Sequence, residues 1–128
     1  FNPLRITFTA DEIMAIYTTP EQGIKAAIAM QKAALEILHS QELGTGFALH
    51  CGSVIEGLFG GDGVRTYTVI GDVVNTAKRL EGATPAGEIT ISDSVYKSIN
   101  TPIEVEAREP FYAKGKTSPL MAWKLIKL

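Results

Sequence analysis

Between Arg65 and Leu80 the chain changes its period. The stretch RTYTVIGDVVNTAKRL reads as a strand up to Ile70, then passes through Gly71 and Asp72 into a helical repeat. A strand that hands over to a helix this abruptly has to lay the helix back over a sheet, which restricts the chain to layered architectures. Other segments narrow the choice. Leu4 to Phe8 and Ile13 to Tyr17 read as strands, and Thr9-Ala10-Asp11-Glu12 between them as a tight turn, giving a β-hairpin with a carboxylate at its tip. Thr19 as N-cap, Pro20 in the first helical position and Gln22 closing a capping box predict a helix to about His39. Ile24, Ala27, Ile28, Ala34, Leu35 and Leu38 mark its packed face.

Phe47 to Phe59 is strand material interrupted by Gly52 and Gly57, and the GGDG turn leads into Thr66 to Ile70, so an extended hairpin is expected. Asp72 can cap a helix reaching about Glu81. After the break at TPAGE, Glu88 to Ile91 reads as a strand, Asp93 to Ile99 as a short helix, and Ile103 to Leu128 as strands around a KGK turn. Strands outnumber helices and hairpins dominate. The fold class is therefore α+β, a mainly antiparallel sheet with helices on one face.

At 128 residues, with 45% hydrophobic and 20% charged composition, the chain is one packed domain. Twelve Lys and Arg against fourteen Asp and Glu leave a net charge of −2, so no global positive field argues for nucleic acid or an anionic membrane. A small anionic ligand would need local basic residues. The single Cys51 excludes an internal disulfide and suits a reducing, cytoplasmic setting. No apolar stretch approaches the roughly 20 residues of a membrane span, and no basic-then-apolar leader opens the chain. Its first residue is Phe1, so a longer parent is expected.

In the helix after Asp72, Val73, Ala77 and Leu80 fall within about 60° of one another and are expected to form its buried stripe. Asn75 and Arg79 then stand on the opposite side, stacked at i, i+4. An amide beside a planar cation can hold a phosphate and a neighbouring hydroxyl together. Spacing alone equally describes a solvated helix face, as Asp11 alone describes an ordinary turn aspartate.

The complete string YTVIGDVVNTAKRLEGATPAGEITIS resembles the most distinctive stretch of the class III nucleotidyl cyclases, the adenylate and guanylate cyclase catalytic domains. ADEIMAIYTTP resembles their Gly-Asp hairpin, GSVIEGLFGG their paired glycine strands and KGKTSPLMAWKL their closing Lys-Gly turn and last strand. The resemblance covers about Thr7 to Leu128, in family order. It implies a ferredoxin-like cyclase fold and conversion of ATP to 3′,5′-cyclic AMP and pyrophosphate, with two divalent ions (Mg or Mn) held by two aspartates. Asp11 matches the second of these and is the one metal ligand the resemblance finds here. Asn75 matches the residue that orients the ribose, Arg79 the one that stabilises charge on the α-phosphate, and Lys114 the one that meets the terminal phosphates. Thr68 lies where the family reads the purine edge. The resemblance further implies a head-to-tail homodimer whose sites combine the aspartates of one subunit with the asparagine and arginine of the other.

Three departures temper it. Thr7 stands where the family has a purine-selecting lysine or glutamate, so weak purine choice is expected, with ATP preferred. Ala10 replaces the turn glycine. The family's opening strand and two helices, with the first metal aspartate, have no counterpart before Phe1, so the domain reads as N-terminally incomplete. A degenerate cyclase homology domain that binds nucleotide weakly, or only dimerises and regulates a partner, is the alternative. Other motifs fail on spacing: a Walker A loop ending at GKT would need a glycine at Pro110, and His50-Cys51 lacks nearby partners for zinc.

Overall fold

The computed structural model describes residues 3–38, 44–52, 55–59, 66–70, 72–110 and 119–127, of which 55–59 and 66–70 as backbone. Strands β1 (Arg5–Phe8) and β2 (Ile13–Ile16) form the expected first hairpin, with Phe8 opposite Ile13 and Arg5 opposite Ile16. The Thr9 N–H closes its turn onto the Glu12 carbonyl at 3.0 Å. Helix α1 (Pro20–Leu38) starts as its cap predicts, the Thr19 hydroxyl accepting the Gln22 N–H at 3.3 Å. The Gln22 side chain turns elsewhere, its Oε1 accepting the Thr18 hydroxyl at 2.7 Å.

The largest sheet runs β3-β6-β8-β7, from β3 (Phe47–Leu49), β6 (Ile89–Ser92), β8 (Ala122–Lys127) and β7 (Glu104–Ala107). It is antiparallel except at β3–β6, where Phe47 lies opposite Ile89 in a parallel pair. Parallel neighbours need a long crossover. Here it contains β4 (Ile55–Phe59), β5 (Thr66–Ile70) and α2 (Asp72–Gly82). Strands β4 and β5 form the second hairpin, but it is shorter than the expected one: Phe47–Leu49 leaves it as β3 to pair with β6 in the large sheet, while Gly57 does not interrupt β4 but pairs with Thr68.

Strand alternation sorts the core. Ile89, Ile91 and Leu125 point to one side, where they cluster with Ile24 and Ala27 of α1 and Val95 of α3 (Asp93–Ser98). Half-buried Phe47, Leu49, Val105 and Trp123 extend this cluster. Leu35, counted on the packed face of α1 from its spacing, is exposed instead, the fully buried residues of the helix all lying in its first half. Thr90, on the other side of β6, meets the end of α2 through the hydroxyl of Thr84. The α+β class and mainly antiparallel sheet hold, but the helices do not all lie on the one face expected: α1 and α3 share one, and α2 closes on the Thr90 side. Among the described residues no helix is long and apolar enough to cross a membrane.

Candidate active site

Helix α2 is seated by a glycine. A Cβ at Gly52 would stand 2.6 Å from Val73 Cγ2, so only a residue without a side chain lets the first turn of α2 come this close to the end of β3. The buried residues of α2 are Val74, Thr76 and Leu80, with Val73 and Ala77 half-buried. This corrects the stripe expected at Val73, Ala77 and Leu80. The helix meets the β3–β6 side of the large sheet and also β5, so a wider arc is covered. Asn75 is exposed, as its position predicts, whereas Arg79 one turn later is half-buried. The helix ends where the Thr84 hydroxyl takes the Leu80 carbonyl at 2.7 Å.

The first hairpin approaches α2 from its turn. Asp11 is exposed there, next to Glu12, whose Oε1 lies 3.9 Å from the Nζ of Lys78 on α2. The fold thus brings the Asp11 turn beside the helix that carries Asn75 and Arg79, within one chain. Thr7 lies half-buried on β1, opposite Met14. Thr68 lies on β5, in the strand leading to α2. Lys114 lies outside the described residues. Glu12 and Lys78 are absent from the sequence-derived site. Their only signal is adjacency, Glu12 to Asp11 and Lys78 to Arg79.

Nearby polar clusters have structural roles. The Ser92 hydroxyl caps α3 by accepting the Val95 N–H at 3.4 Å and lies 2.8 Å from His50 Nδ1, which is 3.2 Å from the Ser94 hydroxyl. Lys97 at 2.8 Å, and then the Trp123 indole N–H at 3.2 Å, hold the Asp93 carboxyl below the usual range, and the same pair raises Lys97. Arg108, donating to Glu88 at 2.7 Å, lowers that carboxyl, with Lys124 at 3.8 Å assisting. The Asn100 N–H does the same for Glu21 at 3.1 Å.

With this geometry in place, the comparisons decide the family. The model of the adenylate and guanylate cyclase catalytic domain matches residues 4–126. The chain belongs to this family. The cyclase domain is 28% identical, over 92% of its length, to an adenylate cyclase of Anabaena cylindrica. It superposes on the adenylyl cyclase CyaB of P. aeruginosa with a TM-score of 0.77 at 27% identity, covering 96% of this chain and 71% of that one. A guanylyl cyclase structure shares the fold equally well, at a TM-score of 0.77 over 94% of this chain and 68% of that one, with 23% identity. The chain spans between 9% and 27% of the length of the curated relatives it matches.

The family uses divalent metals. Among the described residues no three His, Cys, Asp or Glu side chains form a ready-made metal cluster. Asp11 nonetheless fits the part of a single ligand. Its exposed carboxylate is the donor type that magnesium accepts when water and substrate phosphate supply the remaining positions.

Proposed function

We propose that the chain is the catalytic domain of a nucleotidyl cyclase that converts ATP to 3′,5′-cyclic AMP and pyrophosphate in cyclic-nucleotide signalling. The observation that supports this beyond family membership is exposure: Asp11 at its turn and Asn75 on α2 both face solvent, where a nucleotide and a second subunit can reach them. In the reaction the ribose 3′-oxygen bonds to the α-phosphorus, the bond from that phosphorus to the β-phosphate oxygen breaks, pyrophosphate leaves with the electron pair, and the hydroxyl proton passes to solvent. Asp11 holds one carboxylate toward a magnesium or manganese ion, which when bound supplies positive charge to the phosphates. Asn75, with paired donor and acceptor, orients the ribose. Arg79 directs a planar array of N–H donors at charge growing on the α-phosphate, where fixed donors act most strongly. Lys114 neutralises the terminal phosphates, and Thr68 and Thr7 border the purine. A head-to-tail homodimer completes two such sites, the Asp11 of one subunit facing the Asn75 and Arg79 of the other, in the cytoplasm where the nucleotide is abundant.

Thr7 offers neither a cation nor an anion to the base edge. Purine choice is therefore modest, with ATP preferred. A non-catalytic homologue that dimerises and binds nucleotide weakly is the second reading, favoured by the same uncharged Thr7 and by Ala10 at the turn. Turnover of ATP and GTP in competition, with Mg²⁺ and Mn²⁺, tests both on the intact protein. Cyclic AMP as main product with a preference below about 1000-fold, roughly 4 kcal/mol, is expected. No turnover of either nucleotide favours the second reading.

A further inference from the structure

Lys78 precedes Arg79 by one residue and follows Asn75 by three, and its ammonium reaches the Glu12 carboxylate next to Asp11. We infer that Glu12 and Lys78 are positioning residues whose ion pair straps the hairpin turn to α2 and so fixes where Asp11 stands. The inference rests on the cyclase reading of Asp11, Asn75 and Arg79.

The strap acts at the turn, where Asp11 stands. Strands β1 and β2 pair with each other and carry that turn at their tip. The hairpin's outward side carries exposed Leu4, Ile6, Phe8 and Ile13. Its base is held where Tyr17 approaches Gly23 of α1. From that base a four-residue strand reaches about 13 Å, so a swing of about 5° shifts the turn by about 1 Å. Functional groups must be held within about 0.5 Å, and a misplacement of about 1 Å costs about 100-fold in rate. Glu12 is well placed to remove that freedom. Its carbonyl takes the Thr9 N–H at 3.0 Å, with the Thr9 hydroxyl at 3.4 Å, so the turn moves as one piece with Asp11 inside it. Fixing the Glu12 side chain to α2 therefore fixes Asp11.

An exposed pair of this kind contributes little to folding. Its effect falls on where the turn sits.

The test uses the intact protein with Glu12→Gln, Lys78→Gln and the reversal of Glu12→Lys combined with Lys78→Glu. Each single change should leave the melting temperature in place, and should speed hydrogen exchange of the β1–β2 amides and lower turnover by about 2- to 5-fold each. It should also raise the Mn²⁺ concentration for half-maximal rate. The reversal should bring exchange and turnover back toward wild type. Wild-type exchange in the single variants, or a reversal no better than either of them, overturns the strap. Asp11→Asn and Arg79→Ala run alongside: wild-type turnover in both would overturn the site assignment instead, while the exchange data still judge the strap.

Discussion

The Thr84 hydroxyl lies 2.9 Å from the Thr90 hydroxyl while donating to the Leu80 carbonyl. A residue just beyond α2 thereby ties the last turn of the helix to the sealed side of β6, where Thr90 is buried. Water cannot replace what Thr84 provides. Thr84→Val should cost about 1–3 kcal/mol. Adding Thr90→Val removes the stranded partner, so the double variant should be less destabilised than the sum of the singles by at least about 0.5 kcal/mol. Urea unfolding of the four proteins measures the coupling, and strict additivity would count against it.

Gly52→Ala should destabilise by up to about 1 kcal/mol, because the new methyl overlaps Val73 Cγ2 and the half-buried valine must shift to admit it. Val73→Ala should restore part of that loss in the same background, since a Cβ at 52 stands 3.7 Å from Val73 Cβ, an ordinary contact. Denaturation midpoints of the single and double variants decide it. A Gly52→Ala protein as stable as wild type would show that α2 has room to move.

Asp93 and Glu88 set the acid side of stability. Both carboxyls are held below the usual range, chiefly by Lys97 and Arg108 respectively. Groups lowered in this way contribute stability that is present above the unfolded-chain value near 4 and is lost as pH falls through the folded value. Lys97 moves oppositely: its contribution is complete below the ordinary lysine value and fades as pH rises through the raised one. Unfolding midpoints should fall from about pH 6 to about pH 3, less steeply in Asp93→Asn and Glu88→Gln. Equal slopes in all three proteins would refute the assignment.

Arg79→Ala should reduce cyclase turnover by at least about 100-fold if the guanidinium meets charge on the α-phosphate. Because Arg79 is half-buried, a loss of up to about 1 kcal/mol in stability is compatible with that role. Turnover and melts of the same preparation separate the two effects. Unchanged turnover would leave Arg79 as part of the helix packing alone.

The sequence was most readable where a local rule governs. Thr19 and Pro20 mark the start of α1, and alternation marks the two hairpins. The buried face of α2 was harder to read, since a helical wheel assumes one neighbour while α2 meets both the β3–β6 sheet and β5. The parallel β3–β6 pair has no local signal, because its partners lie far apart along the chain. The site divides in the same way. Asp11, Asn75 and Arg79 are legible as motif positions, but the approach of Glu12 to Lys78 joins two unremarkable surface charges that only the fold brings together. The same holds for Thr84 with Thr90 and for His50 with Ser92.

The parallel register of Phe47 with Ile89 closes a ring of roughly forty residues, and that ring encloses both β4–β5 and the whole of α2. Contacts that span so much chain form late, because the entropy of closing the loop is lost before any packing returns it. The helix carrying Asn75 and Arg79 therefore lies inside a loop that this long-range pairing must close.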